Sequence, residues 1–167
     1  MRQVEHADHR PQPHHGRHVE LVLAGLRDPL NVGQAFRTGV SLGAARLHLC
    51  DATPTPPSAK LNRTARGAQH QLAWTTGRSA EVVAGLRQNG THVIAVEYAT
   101  ASHDLRRLLA KTPRDEPLAL VLGNEAHGLP RELMSACDAV GHLPLYGRVS
   151  SLNVATALAL ALWEAVR

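Results

Sequence analysis

Residues 143–164 read LPLYGRVSSLNVATALALALWE. Leu143-Pro144-Leu145 is a short apolar exit from a strand, and Tyr146 to Ser150 is a polar turn around Gly147. From Ser151 the spacing predicts a helix in which Leu152, Val154, Ala155, Ala157, Leu158, Leu160, Leu162 and Trp163 leave almost no polar face. A helix apolar on every side is buried on every side. Its dozen or so apolar residues fall well short of the roughly 20 that span a bilayer. It is therefore a core or interface helix around which the domain packs. Ser151 suits the N-cap, because its hydroxyl accepts a free backbone N–H. That assignment leaves Asn153 without a reason to sit in the first turn of so apolar a helix.

Working upstream, Pro117 to Leu122 (PLALVL) is the most apolar run and is expected to be the central strand. It ends in GNEAHGLP, residues 123–130. Gly123 after a buried parallel strand permits a sharp exit and close approach by a ligand. Pro130 is expected at the first position of a helix. His127 has the chemistry of a base, but Glu125 and His127 at i,i+2 lack the geometry of a helical metal pair. Near the start, Val19 to Ala24 (VELVLA) reads as a buried strand, followed by NVGQAFRTGVSLGA over residues 31–44. Val32, Ala35, Phe36, Gly39 and Val40 form the apolar stripe of an amphipathic helix. Asn31 stands where an N-cap belongs. Arg37 lies off the stripe, and Gly33 on the same face would leave room beside it for another molecule.

Further strands are expected at Arg46 to Leu49, Gln71 to Trp74, Thr91 to Val96 and Ala139 to Leu145, with helices at Ser79 to Gln88 and Asp104 to Lys111. Lys60, Arg63 and Arg66 form one basic ridge, either a phosphate contact or a solvated face. Alternation of strands and helices indicates an α/β fold with a mainly parallel sheet flanked by helices. Ligands in such sheets sit at the carboxyl ends of the strands. Asn31, Arg37, Glu97, Gly123 to Glu125 and Leu143 to Ser151 fall there. No strand is followed by G-x-G-x-x-G and there is no G-x-x-x-x-G-K-[ST], which argues against dinucleotide enzymes and P-loop NTPases.

The 167 residues suit one domain, and 44% hydrophobic content supports a real core. A net charge of +4 favours an anionic partner weakly. Aromatics make up only 3%, which argues against a base-stacking sheet. Cys50 and Cys137 stand singly in apolar surroundings, as reduced core residues of a cytoplasmic protein. Residues 1–18 are polar, rich in His and Pro, and without the apolar segment of a signal peptide. His6, His9, His14, His15 and His18 lack metal-site spacing, so this stretch is expected to be a solvated tail, with the domain running from Val19 to Arg167.

Three stretches, in order, resemble the motifs of the SpoU/TrmH-type RNA methyltransferases of the SPOUT superfamily. Asn31-Val32-Gly33 followed by Arg37 is similar to the first, Asn-x-Gly-x-x-x-Arg. Leu122-Gly123-Asn124-Glu125 with Gly128-Leu129 is similar to the second, Leu-Gly-x-Glu-x-x-Gly-Leu. Pro144, Gly147 and Ser151-Leu152-Asn153-Val154 are similar to the third. The resemblance covers Val19 to Arg167. It implies a C-terminal trefoil knot, S-adenosylmethionine as cofactor, no metal, a homodimer packed through the final helix, and methylation of a ribose 2′-hydroxyl in RNA. It assigns chemistry to Arg37, Asn31, Glu125, Ser151 and Asn153. An arginine with a pKa above 12 is a poor base, so Arg37 is expected to stabilise the developing alkoxide and a neighbouring phosphate, with Asn31 holding Arg37 in place. Glu97, Leu122, Gly123, Asn124, Leu143, Leu145, Gly147, Ser151 and Leu152 are expected around the cofactor, and Lys60, Arg63 and Arg66 on RNA. With no separate RNA-binding domain before Val19 or after Arg167, tRNA is expected over rRNA. An rRNA enzyme, a base-nitrogen methyltransferase and a non-catalytic RNA-binding protein of the same fold stay open as alternatives.

Overall fold

The computed structural model describes residues 16–167. Its strands are β1 (Val19–Ala24), β2 (Arg46–Cys50), β3 (Trp74–Gly77), β4 (His92–Val96), β5 (His103–Asp104), β6 (Leu118–Leu122) and β7 (Ala139–His142). Its helices are α1 (Pro29–Leu42), α2 (Ala59–Ala65), α3 (Ser79–Gln88), α4 (Leu105–Leu109), α5 (Arg131–Ala136) and α6 (Val154–Val166). The strands form one seven-stranded sheet in the order β3-β2-β1-β6-β4-β7-β5. Every pairing in it is parallel. Parallel pairing needs a crossover between neighbours, and the helices supply it on both faces. Strand β6 is central, as its composition predicts, and is buried throughout. Leu21, Leu23, Phe36, Leu120, Leu158 and Leu162 build the core on the side of α1 and α6. Val22, Val83, Leu86, Val121 and Leu133 build the core on the side of α3 and α5.

Both helix starts that frame the site differ from expectation. Helix α1 begins at Pro29 and is capped by Asp28, whose side chain accepts from Leu30 N at 2.9 Å. A proline at the first helical position is pre-set for the turn, so the cap falls earlier than Asn31. Asn31 is left inside the first turn, buried, with its amide available for a distant partner. At α6 the cap is Asn153 and not Ser151. Its Oδ1 accepts from Ala155 N at 2.9 Å and Thr156 N at 3.3 Å. The polar residue that seemed out of place is the one that starts the helix.

Strand β7 stops at His142, before the expected Leu145, because Pro144 has no N–H to give a ladder. Pro130 is the N-cap of α5 rather than its first residue. Strand β3 starts at Trp74, after a 3₁₀ turn at Ala68–His70. Helix α6 is not buried on every side: Leu160 is 44% exposed and Trp163 53%. Gly33 is no open face. A Cβ there would overlap Thr64 Oγ1 and the Leu61 carbonyl oxygen of α2, so the glycine lets α2 cross directly on α1.

Packing extends ahead of Val19, the expected start of the domain. Arg17 is buried and donates to the carbonyls of Ala165, Pro113 and Thr112 at 3.4–3.5 Å. A side chain inserted among carbonyls at the end of α6 holds its own backbone in place. His6, His9, His14 and His15 lie outside the described residues. Among the described residues, no helix is long and apolar enough to cross a membrane.

Candidate active site

A cavity of about 530 Å³ opens at the carboxyl ends of β4, β6 and β7. Its walls are Val96 to Tyr98, Leu122 to Gly128, His142, Leu143, Leu145, Ser150 to Val154, and Ala157. The loop after β6 folds back tightly. Gly128 N donates to Asn124 O at 2.8 Å, and Asn124 N donates to Gly128 O at 3.2 Å. Only glycine fits at position 123, since a Cβ there would press on the Gly128 carbonyl and on Leu129 N. Asn124 is a scaffold residue. Its Oδ1 accepts from Ala126 N at 2.9 Å and His127 N at 3.1 Å, and its Nδ2 donates to Gly25 O at 2.7 Å. Glu97 ties β4 to the same loop, accepting from Leu129 N at 2.9 Å through Oε2. Its carboxylate lies against Gly128, whose φ of 66° also calls for glycine.

Beside the cavity the three sequence motifs meet in one directed set of hydrogen bonds. Asn153 Nδ2 donates to Asn31 Oδ1 at 3.1 Å, and Asn31 Nδ2 donates to Glu125 Oε1 at 2.9 Å. Glu125 also accepts from Arg27 N at 3.0 Å and Asp28 N at 3.2 Å. Each amide has one end that accepts and one that donates, so the sense of the set is fixed. Burial pushes the Glu125 carboxyl up, but the hydrogen bonds from Asn31, Arg27 and Asp28 together hold it below the usual carboxylate range. Glu125 therefore stays ionised and anchors the set. This corrects the expected role of Asn31: its amide is committed to Glu125 and Asn153 and does not hold Arg37.

Arg37 faces elsewhere. Six residues along α1 is a rise of about 9 Å, which carries Arg37 to a second, basic pocket of about 480 Å³. Gln34 and Thr38 of α1, Arg63 and Thr64 of α2, Arg66, and Ala155, Thr156 and Ala159 of α6 complete it. The crossing at Gly33 is what brings Arg63 and Arg66 beside Arg37. Lys60, expected on the same ridge, does not line this pocket. Helix α6 is the partition: Val154 and Ala157 face the cavity, and Ala155, Thr156 and Ala159 face the arginines.

The remaining expected residues sort cleanly. Glu97, Leu122, Gly123, Asn124, Leu143, Leu145, Ser151 and Leu152 line the cavity. Gly147 does not; it lies in the exposed turn between β7 and α6. Tyr98 and His142 line the cavity without belonging to any motif. Their places just after β4 and at the end of β7 are the signal that points to them. Among the described residues, no cluster of His, Cys, Asp and Glu is suited to hold a metal ion.

The model of the SpoU rRNA methylase family matches residues 18–163. The chain belongs to that family. It is 32% identical over 148 residues to the 23S rRNA (guanosine-2′-O-)-methyltransferase RlmB of Vibrio parahaemolyticus, covering 88% of this chain and 58% of that protein. Its fold matches the AdoMet-bound rRNA methyltransferase of Sinorhizobium meliloti with a TM-score of 0.81 at 30% identity, covering 92% of this chain and 57% of that one. A structure giving insights into the 2-OH methylation of C/U34 on tRNA matches with a TM-score of 0.78 at 29% identity, covering 90% of this chain and 95% of that one. The chain thus spans under two thirds of the length of the Vibrio and Sinorhizobium proteins. With one relative named for 23S rRNA and another concerned with tRNA, the comparisons give no support to the expected preference for tRNA.

Proposed function

We propose that this chain transfers a methyl group from S-adenosylmethionine to a ribose 2′-hydroxyl of RNA. The observation that carries the reading is the Asn153–Asn31–Glu125 set, which joins all three motifs beside a nucleoside-sized cavity. A volume of about 530 Å³ is within the range of small-molecule sites. Leu122, Leu143, Leu145 and Leu152 offer apolar walls for a purine, and the glycine cradle at Gly123 lets backbone groups approach a ligand closely. These residues, with Glu97, Asn124 and Ser151, would hold the cofactor. When bound, the cofactor supplies a methyl group activated by its sulfonium.

The chain's own contribution is positioning and charge. Arg37, Arg63 and Arg66 converge on one pocket, which suits a backbone phosphate and the negative charge that develops on the 2′-oxygen. A guanidinium donates and does not accept a proton there. Glu125, Asn31 and Asn153 lock the entry of α6 to the loop after β6, so both pockets keep a fixed geometry. Alignment of this kind is a large part of the rate of a displacement.

Ribosomal RNA has the name of the Vibrio relative behind it, and transfer RNA the C/U34 structure; the reading takes RNA of either class. The half-exposed Leu160 and Trp163 on α6 support a homodimer through that helix. The path from β7 past the exit loops of β4 and β6 into a helix packed on α1 supports a C-terminal trefoil knot. Two buried free thiols, Cys50 and Cys137, support a cytoplasmic site of action.

The test is transfer of labelled methyl from S-adenosylmethionine to separate rRNA and tRNA pools, followed by nucleoside analysis. A labelled 2′-O-methyl nucleoside is the expected result. Label on a base would replace ribose by a base nitrogen. Cofactor binding without transfer would point to a further partner, and no cofactor binding would leave a non-catalytic RNA binder.

A further inference from the structure

Tyr98 and His142 belong to none of the three motifs, yet both line the cavity. Their rings meet edge to face, centroids 5.2 Å apart. Behind them lies a short turn whose hydrogen bonds fix a proton. Ser102 Oγ is 2.6 Å from the Ala99 carbonyl oxygen, 3.1 Å from Ala99 N and 2.9 Å from His142 Nδ1. A serine has one O–H. The Ala99 carbonyl only accepts, so that hydrogen is spent on it. The Ala99 N–H donates to Oγ. The contact with His142 must then run from Nδ1–H to Oγ. A neutral imidazole carries a single N–H, so in His142 it is Nε2 that holds the lone pair. Glu97, adjacent on the same wall, also accepts only, and its oxygens take backbone donors, Oε1 from Tyr98 N at 3.1 Å and Oε2 from Leu129 N at 2.9 Å.

We propose that His142 recognises the cofactor, accepting through Nε2 a hydrogen bond from an N–H or O–H donor of the adenosyl amino acid. Ser102 is the positioning residue that sets the tautomer. The assignment rests on the reading that this cavity takes S-adenosylmethionine. Two parts of that molecule offer such donors, the α-ammonium and the nucleoside with its ribose hydroxyls and adenine amino group. They are separable, because 5′-methylthioadenosine keeps the nucleoside and lacks the ammonium.

The test is calorimetry of the full chain with S-adenosylhomocysteine and with 5′-methylthioadenosine. In His142→Asn the amide replaces Nδ1 and keeps the Ser102 contact without an atom at Nε2. Affinity is expected to fall about tenfold, the scale of one buried hydrogen bond. His142→Gln, with its amide reaching the Nε2 position, recovers most of it. Loss with both ligands places the donor on the nucleoside, and loss with S-adenosylhomocysteine alone places it on the ammonium. Ring ¹⁵N spectra of the wild type show the Nδ1–H tautomer, and Ser102→Ala releases it into a mixture while the melting temperature holds. Unchanged affinity in His142→Asn, or an Nε2–H tautomer in the wild type, overturns the assignment. Failure of the wild type to bind either ligand overturns the cofactor reading itself, and the assignment with it.

Discussion

Asn153 Nδ2 donates to Asn31 Oδ1 at 3.1 Å, across 122 positions of sequence. The same Asn153 caps α6 through its Oδ1. One side chain therefore starts the last helix and fastens it to the first. Replacing Asn153 by Ala removes both functions and should cost about 1–2 kcal/mol. Asn153→Ser keeps a capping oxygen but lacks the amide arm. It should recover the capping share of the stability and not the methyl transfer, as checked by urea denaturation and labelled-methyl assay on the same preparations.

Asn31→Asp tests the other end. It sets a second carboxylate 2.9 Å from Glu125 Oε1, where an N–H stood. Two ionised carboxylates at that separation repel each other, and a proton shared between them relieves the repulsion as pH falls. The variant should lose activity at neutral pH and regain some on acidification, when one proton is shared. Asn31→Ala should lose activity at every pH. Initial rates across pH 5 to 8 separate the two.

Gly33→Ala would drive a methyl group into Thr64 Oγ1 and the Leu61 carbonyl. Backbone is one of the obstructing groups, so α2 must move off α1. The expected cost is about 1–3 kcal/mol. Arg63 and Arg66 leave Arg37's side with α2, so RNA affinity should fall together with the melting temperature.

The basic pocket predicts a salt signature. Replacing Arg37, Arg63 and Arg66 together should lower the slope of log affinity against log salt by about 2 for single-stranded RNA. Lys60→Ala, outside that pocket, should leave the slope nearly unchanged. Filter binding at four salt concentrations is sufficient.

Stability should depend on acid through Glu20. Its carboxyl is held down to about 2, first by the hydrogen bond with His48 and then, against the effect of burial, by that with His18. The distances are 2.7 Å to His48 Nε2 and 2.9 Å to His18 Nε2. A folded-state value below the unfolded one gives stability that is complete above about 4.5 and is lost as pH falls towards 2. Glu20→Gln should flatten the urea midpoint over that range and cost about 1.5–3 kcal/mol at neutral pH.

Local signals carried the reading where residues act locally. Ser79–Gln88 declared both its ends, and the unbroken apolar run of β6 placed it at the centre of the sheet. The sequence misled where one residue type serves two purposes. Asn is a cap by propensity, yet Asn31 reaches Glu125 while Asp28 takes the cap, and Asn153 does both. Gly33 has the same signature whether a ligand or a helix fills the space above it. His142 carries no motif, because a single imidazole at a strand end is defined by the serine that faces it across 40 positions.

Helix α6 is a wall common to two pockets, with Val154 and Ala157 on one side and Ala155, Thr156 and Ala159 on the other. A ligand that selects one placement of this helix offers that placement to whatever binds across it. On the proposed function, thermodynamic linkage would require symmetry: any factor by which cofactor tightened RNA would equal the factor by which RNA tightened cofactor. Each partner becomes a reporter on the other, and the two halves of the site can be titrated as one balance.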